Sequence, residues 1–77
     1  MSLLERITVN PDICNGKPII RGMRITVKTI LEHIAAGESA ADILKAYPYL
    51  EAEDIKAALE FAAKTSDASI NSYRLAS

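Results

Sequence analysis

With 77 residues, this chain is too short for two cores: a domain of this size buries only about 60% of the surface its unfolded form exposes, so a single domain over 1–77 is expected, steadied by packing and self-association. The one cysteine, Cys14, rules out a disulfide framework, and no CxxC or Cys/His cluster offers a structural zinc site. A net charge of −1 gives no whole-molecule pull toward nucleic acid, no apolar run approaches the roughly 20 residues of a membrane span, and "MSLLERITV" lacks the layout of a leader, so the cytoplasm is the expected location.

The first third reads as short extended pieces joined by turns. "ERITVN" alternates Ile7 and Val9 with polar neighbours, the period-two pattern of a half-buried strand, and Asn10-Pro11 ends it. Asn15-Gly16 accepts the positive backbone dihedrals of a tight turn, and Pro18 keeps the chain extended after it. Ile19 and Ile20 follow as anchors. Gly22 marks another turn, from which "MRITV" is expected to return as a second strand against "ITV" near the N-terminus.

From Thr26 the period becomes helical. Val27, Ile30, Leu31 and Ile34 form one apolar stripe, Thr26 is placed to cap its start, and Gly37 suits the left-handed position after its end near Ala36. Ser39 and Asp42 resemble a capping box, opening a short second helix with Ile43, Leu44 and Tyr47 on its apolar face; Pro48 ends it. Leu50 and Ile55 have staple spacing at the start of a third helix, where Glu53 and Asp54 favour the positive end of the dipole. Its inward stripe is expected to run through Ile55, Leu59 and Ala62, and its outer face through the ladder Lys56, Glu60 and Lys64. Residues 64–77 are polar and weakly periodic, a tail expected to be held loosely until a partner orders it. The fold class is mainly α: a compact three-helix, helix-turn-helix-like domain with a short N-terminal β-hairpin.

Charge is segregated along this layout. Between Asn15 and Leu31 every charged side chain is basic (Lys17, Arg21, Arg24, Lys28), whereas from Glu32 to Glu60 seven acids face only Lys45 and Lys56. A recognition helix opening on Glu51, Glu53 and Asp54 would set acids against phosphates, so the basic turn is the better DNA-binding candidate. Its two arginines have a second use, pairing with carboxylates of the domain and tying the turn to the helices. Gly16-Lys17 is not a phosphate loop, because no Ser or Thr follows the lysine and no upstream glycine has the spacing.

His33 has no nucleophile or second ligand at useful spacing and reads as a surface or boundary residue. Cys14 reads as a small filler or a half-exposed thiol beside a turn. Tyr47 and Tyr49 are candidates for core or subunit contacts, and Glu53, Asp54 and Glu60 for meeting a basic partner surface. No arrangement of acids suggests a paired catalytic site, so neither an enzyme nor a cofactor is expected.

From Ile7 through Ala63 the chain closely resembles the bacterial and archaeal family catalogued as domain of unknown function 433. The resemblance is carried by Asn10-Pro11, Gly16-Lys17-Pro18, Arg21-Gly22, Arg24-Ile25, Val27, Gly37, Tyr47-Pro48, Leu50 and Asp54-Ile55. It implies a homeodomain-like or winged-helix domain, and an antitoxin of a type II toxin/antitoxin module that silences a PIN-like ribonuclease and, as a homodimer, represses its own promoter. A protein-interaction module without DNA affinity and a stand-alone small DNA-binding regulator are the alternatives. The family favours Thr where this chain has Glu51, an exchange that removes an N-cap hydroxyl.

Overall fold

The computed structural model describes residues 3–73, with side chains through Thr65. A 3-10 turn at Leu3–Arg6 runs straight into strand β1 (Ile7–Thr8), which pairs antiparallel with β2 (Ile19–Ile20), Ile7 opposite Ile20 and Thr8 opposite Ile19. The strand expected at Ile7 therefore forms, but its partner is Ile19–Ile20, not Met23–Val27. The turn after β2 decides this. Arg21 and Gly22 both take left-handed backbone (φ 44° and 73°), and Met23 donates its N–H to the Ile20 carbonyl at 2.7 Å, closing a two-residue turn. Such a turn lays the following segment directly beside β2: Ile20 N–H donates to Ile25 O, Val27 N–H to Pro18 O, and Ile19 bridges Thr26. Only the other edge of β2 is left for β1. Covered on both edges, Ile19 and Ile20 are each 0% exposed.

The loop between the strands is built from local devices. The Asn10 side chain accepts from Asp12 N–H at 2.8 Å, and Asn15 and Gly16 take the expected left-handed conformation (φ 57° and 77°) in a 3-10 turn at Cys14–Gly16 that begins with a left-handed Cys14.

Three helices follow: α1 (Val27–Ala35), α2 (Ala40–Ala46) and α3 (Ala52–Tyr73). Thr26 caps α1 by accepting from Thr29 N–H. At its other end Gly37 (φ 92°) closes a Schellman turn, Gly37 N–H to Ile34 O and Glu38 N–H to His33 O. Ser39 and Asp42 form the complete capping box of α2. Helix α3 continues past the family-like core to Tyr73; the expectation of a loosely held tail falls largely on side chains outside the described residues. No helix among the described residues is long and apolar enough to cross a membrane.

The core draws on β2, the segment after it and all three helices: Ile20, Ile25, Val27, Ile30, Ile43, Leu50, Ile55 and Ala58, with Ile7 of β1, Leu31, Ile34 and Phe61 packed against them. Burying one such isoleucine contributes roughly 1.5–3 kcal/mol. One expected core residue is displaced. Leu59 is 44% exposed, because α3 is turned to bury Asp54, Ala57 and Ala58, a face that carries Leu59 away from the core. Lys56 and Lys64 are exposed as expected, with no ion pair to Glu60 among the described residues.

Gly37 allows a clean measurement of backbone conformation, since a Cβ there would meet nothing within 4 Å. Gly37→Ala is expected to lower stability by about 1 kcal/mol through its left-handed φ alone, read as a lower urea midpoint at unchanged slope.

Candidate functional site

Asp54 sits in the first turn of α3, is fully buried, and all its contacts run to the N-terminal third of the chain or to the helix start. Arg21 grips it with a two-pronged fork, Nε to Oδ1 at 3.0 Å and Nη2 to Oδ2 at 2.8 Å. Arg6 adds Nη1 to Oδ1 at 2.9 Å, and the Glu51 N–H donates to Oδ2 at 2.8 Å. Four donors thus satisfy one buried carboxylate, which is what makes its burial tolerable. Burial by itself would push the Asp54 carboxyl up; the bonds from Arg21, the Glu51 amide and Arg6 outweigh it and hold the group below the usual carboxylate range.

The backbone prepares this grip. Arg21 occupies the left-handed position of the turn after β2, its own N–H donating to Arg6 O at 2.8 Å, while Gly22 N–H donates to the Thr8 hydroxyl at 3.0 Å. These bonds fasten the turn to β1 and aim the guanidinium at α3, where Nη2 also donates to the Tyr49 carbonyl at 3.3 Å. Glu51, in the position before α3, turns its side chain away from the helix to meet Arg6 at 2.7 Å. Its cost as a missing hydroxyl cap is offset by Asp54, whose carboxylate takes the Glu51 amide as the second half of a capping box would.

The expected site residues separate into groups. Arg21 takes the pairing role with its fork filled, though its side chain stays partly exposed, and Asp54, its interior partner, is withdrawn from the surface. Lys17, Arg24 and Lys28 are exposed and make no ion pair among the described residues. Glu53 is exposed and Glu60 half-buried. Tyr49 is 54% exposed and meets the half-buried Tyr47 edge to face at 6.2 Å.

Two features go beyond the sequence reading. The first is a chain of contacts through His33: Nδ1 lies 2.9 Å from Glu38 Oε2 and Nε2 3.1 Å from the Tyr47 hydroxyl. A neutral ring protonated at Nδ1 satisfies both, donating to the carboxylate and accepting from the phenol. The signal was present in Gly37, because a Schellman turn brings together the residues three before and two after the cap. The second is a groove of about 300 Å³ where the β2 hairpin, α1 and α3 meet, floored by Pro18, Val27, Leu31, Phe61 and Ala62 and edged by Lys17 and Lys28. The hairpin register brings the two lysines together: Pro18 bonds Val27, and each lysine is the next residue outward. No single segment of sequence could have revealed it, since its walls come from three elements. Among the described residues no group of His, Cys, Asp and Glu could hold a metal ion.

Removing the Asp54 carboxylate tests the lock. Hydrogen bonds to charged groups contribute about 1.5–3 kcal/mol, so Asp54→Ala is expected to cost about 3 kcal/mol in urea denaturation at pH 7. Because the folded pKa lies below the unfolded value near 3.9, the stabilisation is complete above that value and is lost as pH falls through it toward the folded pKa. Asp42, held down by the Ser39 amide, acts with the same sign. Wild type is therefore expected to lose more stability between pH 6 and pH 3 than the Asp54→Ala variant does.

Comparison with known proteins agrees with this architecture. Residues 7–62 match the family model described as "Protein of unknown function (DUF433)". The uncharacterized protein y4eO of Sinorhizobium fredii (strain NBRC 101917 / NGR234) is 41% identical over 58 residues, covering 75% of this chain but only 26% of that protein. The crystal structure of a DUF433 member from Anabaena variabilis ATCC 29413 superposes with a TM-score of 0.76 at 32% identity, over 80% of this chain and 61% of that one. The chain thus spans about a quarter of the curated relative and about three fifths of the solved one. Through the family-model match and the shared three-helix fold with its N-terminal hairpin, the chain belongs to the DUF433 family.

Proposed function

We propose that this chain is a non-catalytic binding module of the antitoxin type, which as a homodimer holds a PIN-like ribonuclease and keeps it silent. The groove between the β2 hairpin, α1 and α3 carries the reading. It leaves the half-buried Leu31 and Phe61 facing a concavity of about 300 Å³, enough to take apolar side chains of another protein. The acid most strongly gathered into contacts, Asp54, is committed to Arg6 and Arg21 and holds the domain together. Tyr49 and Glu53 add an exposed aromatic and an exposed acid at the approach to α3, suited to a further partner contact. The class of partner is the one implied by the family resemblance.

Repression of the module's own promoter is the second reading, favoured by Lys17, Arg24 and Lys28, which are exposed and without ion pairs among the described residues. Arg21 takes no part in it, its fork being filled by Asp54. Three phosphate contacts per protomer correspond to a slope of about −2.7 in log K against log salt, and twice that for a dimer using both sets.

Copurification of the tagged protein with the product of the neighbouring reading frame, then a gel shift of the complex on their shared upstream DNA, tests both readings. A stable complex is expected, with a shift that the Lys17→Ala, Arg24→Ala, Lys28→Ala triple variant loses while its thermal transition stays in place. A complex without a shift removes the repressor reading, and failure to form a complex removes the antitoxin reading.

A further inference from the structure

We infer that the groove takes an acidic-apolar segment of a partner protein: one or two large apolar side chains seated between α1 and α3, flanked by Asp or Glu carboxylates that meet Lys17 and Lys28. The inference rests on the binding-module reading and names the chemistry of its partner at this site. Three observations carry it.

The floor is apolar, formed by Pro18, Val27, Leu31, Phe61 and Ala62, and its volume of about 300 Å³ matches one or two large side chains better than a flat contact. Next, the charged side chains lining the groove are both basic, Lys17 and Lys28, each exposed and without an ion pair among the described residues. Finally, Asp54, the carboxylate that meets the basic turn, is committed to Arg6 and Arg21 and pairs with neither rim lysine. The result is a paired positive edge over an apolar floor. Two copies of the chain meeting groove to groove would bring four lysines together, which disfavours that occupant. Phosphate contacts would use the lysines but leave the apolar floor uncovered. An apolar segment with carboxylates beside it satisfies both parts at once, the apolar side chains supplying affinity and the rim charges orientation and selectivity.

The test is a two-dimensional NMR titration of the 15N-labelled protein with three synthetic 12-residue peptides sharing the same Leu and Phe positions and flanked by Glu, Gln or Lys. The Glu peptide is expected to shift the amides of Val27, Lys28, Leu31, Ala62 and Thr65 and to bind most tightly. Reversing the rim with Lys17→Glu and Lys28→Glu, both at exposed positions, is expected to weaken the Glu peptide by about fivefold, the scale of two exposed charge pairs, and to make the Lys peptide the better ligand. Equal binding of all three peptides would overturn the acidic-partner inference while leaving the groove a docking site. No shift with any peptide would remove the groove from the binding-module reading altogether. Shifts at the same amides with duplex DNA and not with peptide would overturn the inference in favour of nucleic acid, and concentration-dependent shifts without ligand would do so in favour of a second copy.

Discussion

The Asp54 carboxylate is the point on which the two halves of the molecule meet. It is fully buried, and the residues that satisfy it lie 48 and 33 positions earlier, at Arg6 and Arg21, and at the mouth of its own helix. A buried ion pair is weak evidence for net stability, because the cost of taking charge out of water rivals the attraction gained. Its effect lies in orientation. An apolar side chain at this place would accept many packings of hairpin against helix, whereas a carboxylate met by a two-pronged guanidinium accepts one. The left-handed Arg21 belongs to the same logic: a backbone conformation that side chains rarely adopt persists because its amide, its neighbour Gly22 and its guanidinium are each fixed to a different element.

That lock redistributes the charge segregation so evident along the chain. A basic turn followed by acidic helices suggests two opposed surfaces. In the folded molecule the centre of each run is cancelled against the other, Arg21 against Asp54, with Arg6 recruited from outside both runs to complete the balance. Only Lys17, Arg24 and Lys28 of the basic run are left without an ion pair among the described residues, and the hairpin sets two of them, Lys17 and Lys28, on the edge of one groove. Within this basic run Arg21 is therefore structural, while Lys17, Arg24 and Lys28 make no ion pair among the described residues.

What could be read from the sequence was what local rules govern. Thr26, Gly37, Ser39 and Asp42 announce helix ends because caps are satisfied within a few residues of the chain. Asn15 and Gly16 announce a turn for the same reason. Strand pairing was not local in this sense: whether Ile7 meets Ile20 or the segment after Gly22 depends on how tightly the Arg21-Gly22 turn closes, and both segments carry an acceptable apolar pattern. Leu59 was misplaced because helical periodicity gives the width of a buried stripe but not its rotation, and here the rotation is set by a polar residue, Asp54. A carboxylate in the first turn of a helix fits both a dipole contact at the surface and an interior lock, and only the distant arginines separate the two. Arg6 had no local signal at all.

The position of the groove follows from the same rotation. Turning Asp54, Ala57 and Ala58 inward brings the first two turns of α3 against the N-terminal segment and the core, and small alanines allow the close approach. Further along the helix, Phe61, Ala62 and Thr65 line the groove together with Lys17 and Pro18 before β2 and Val27, Lys28 and Leu31 of α1. Close contact in the first turns of α3 and an opening beside Phe61, Ala62 and Thr65 are thus two results of one orientation. The interaction that fixes the fold also bears on which side chains line the groove and which lysines stand beside them, so a change at Asp54 would alter the groove without touching a residue that lines it.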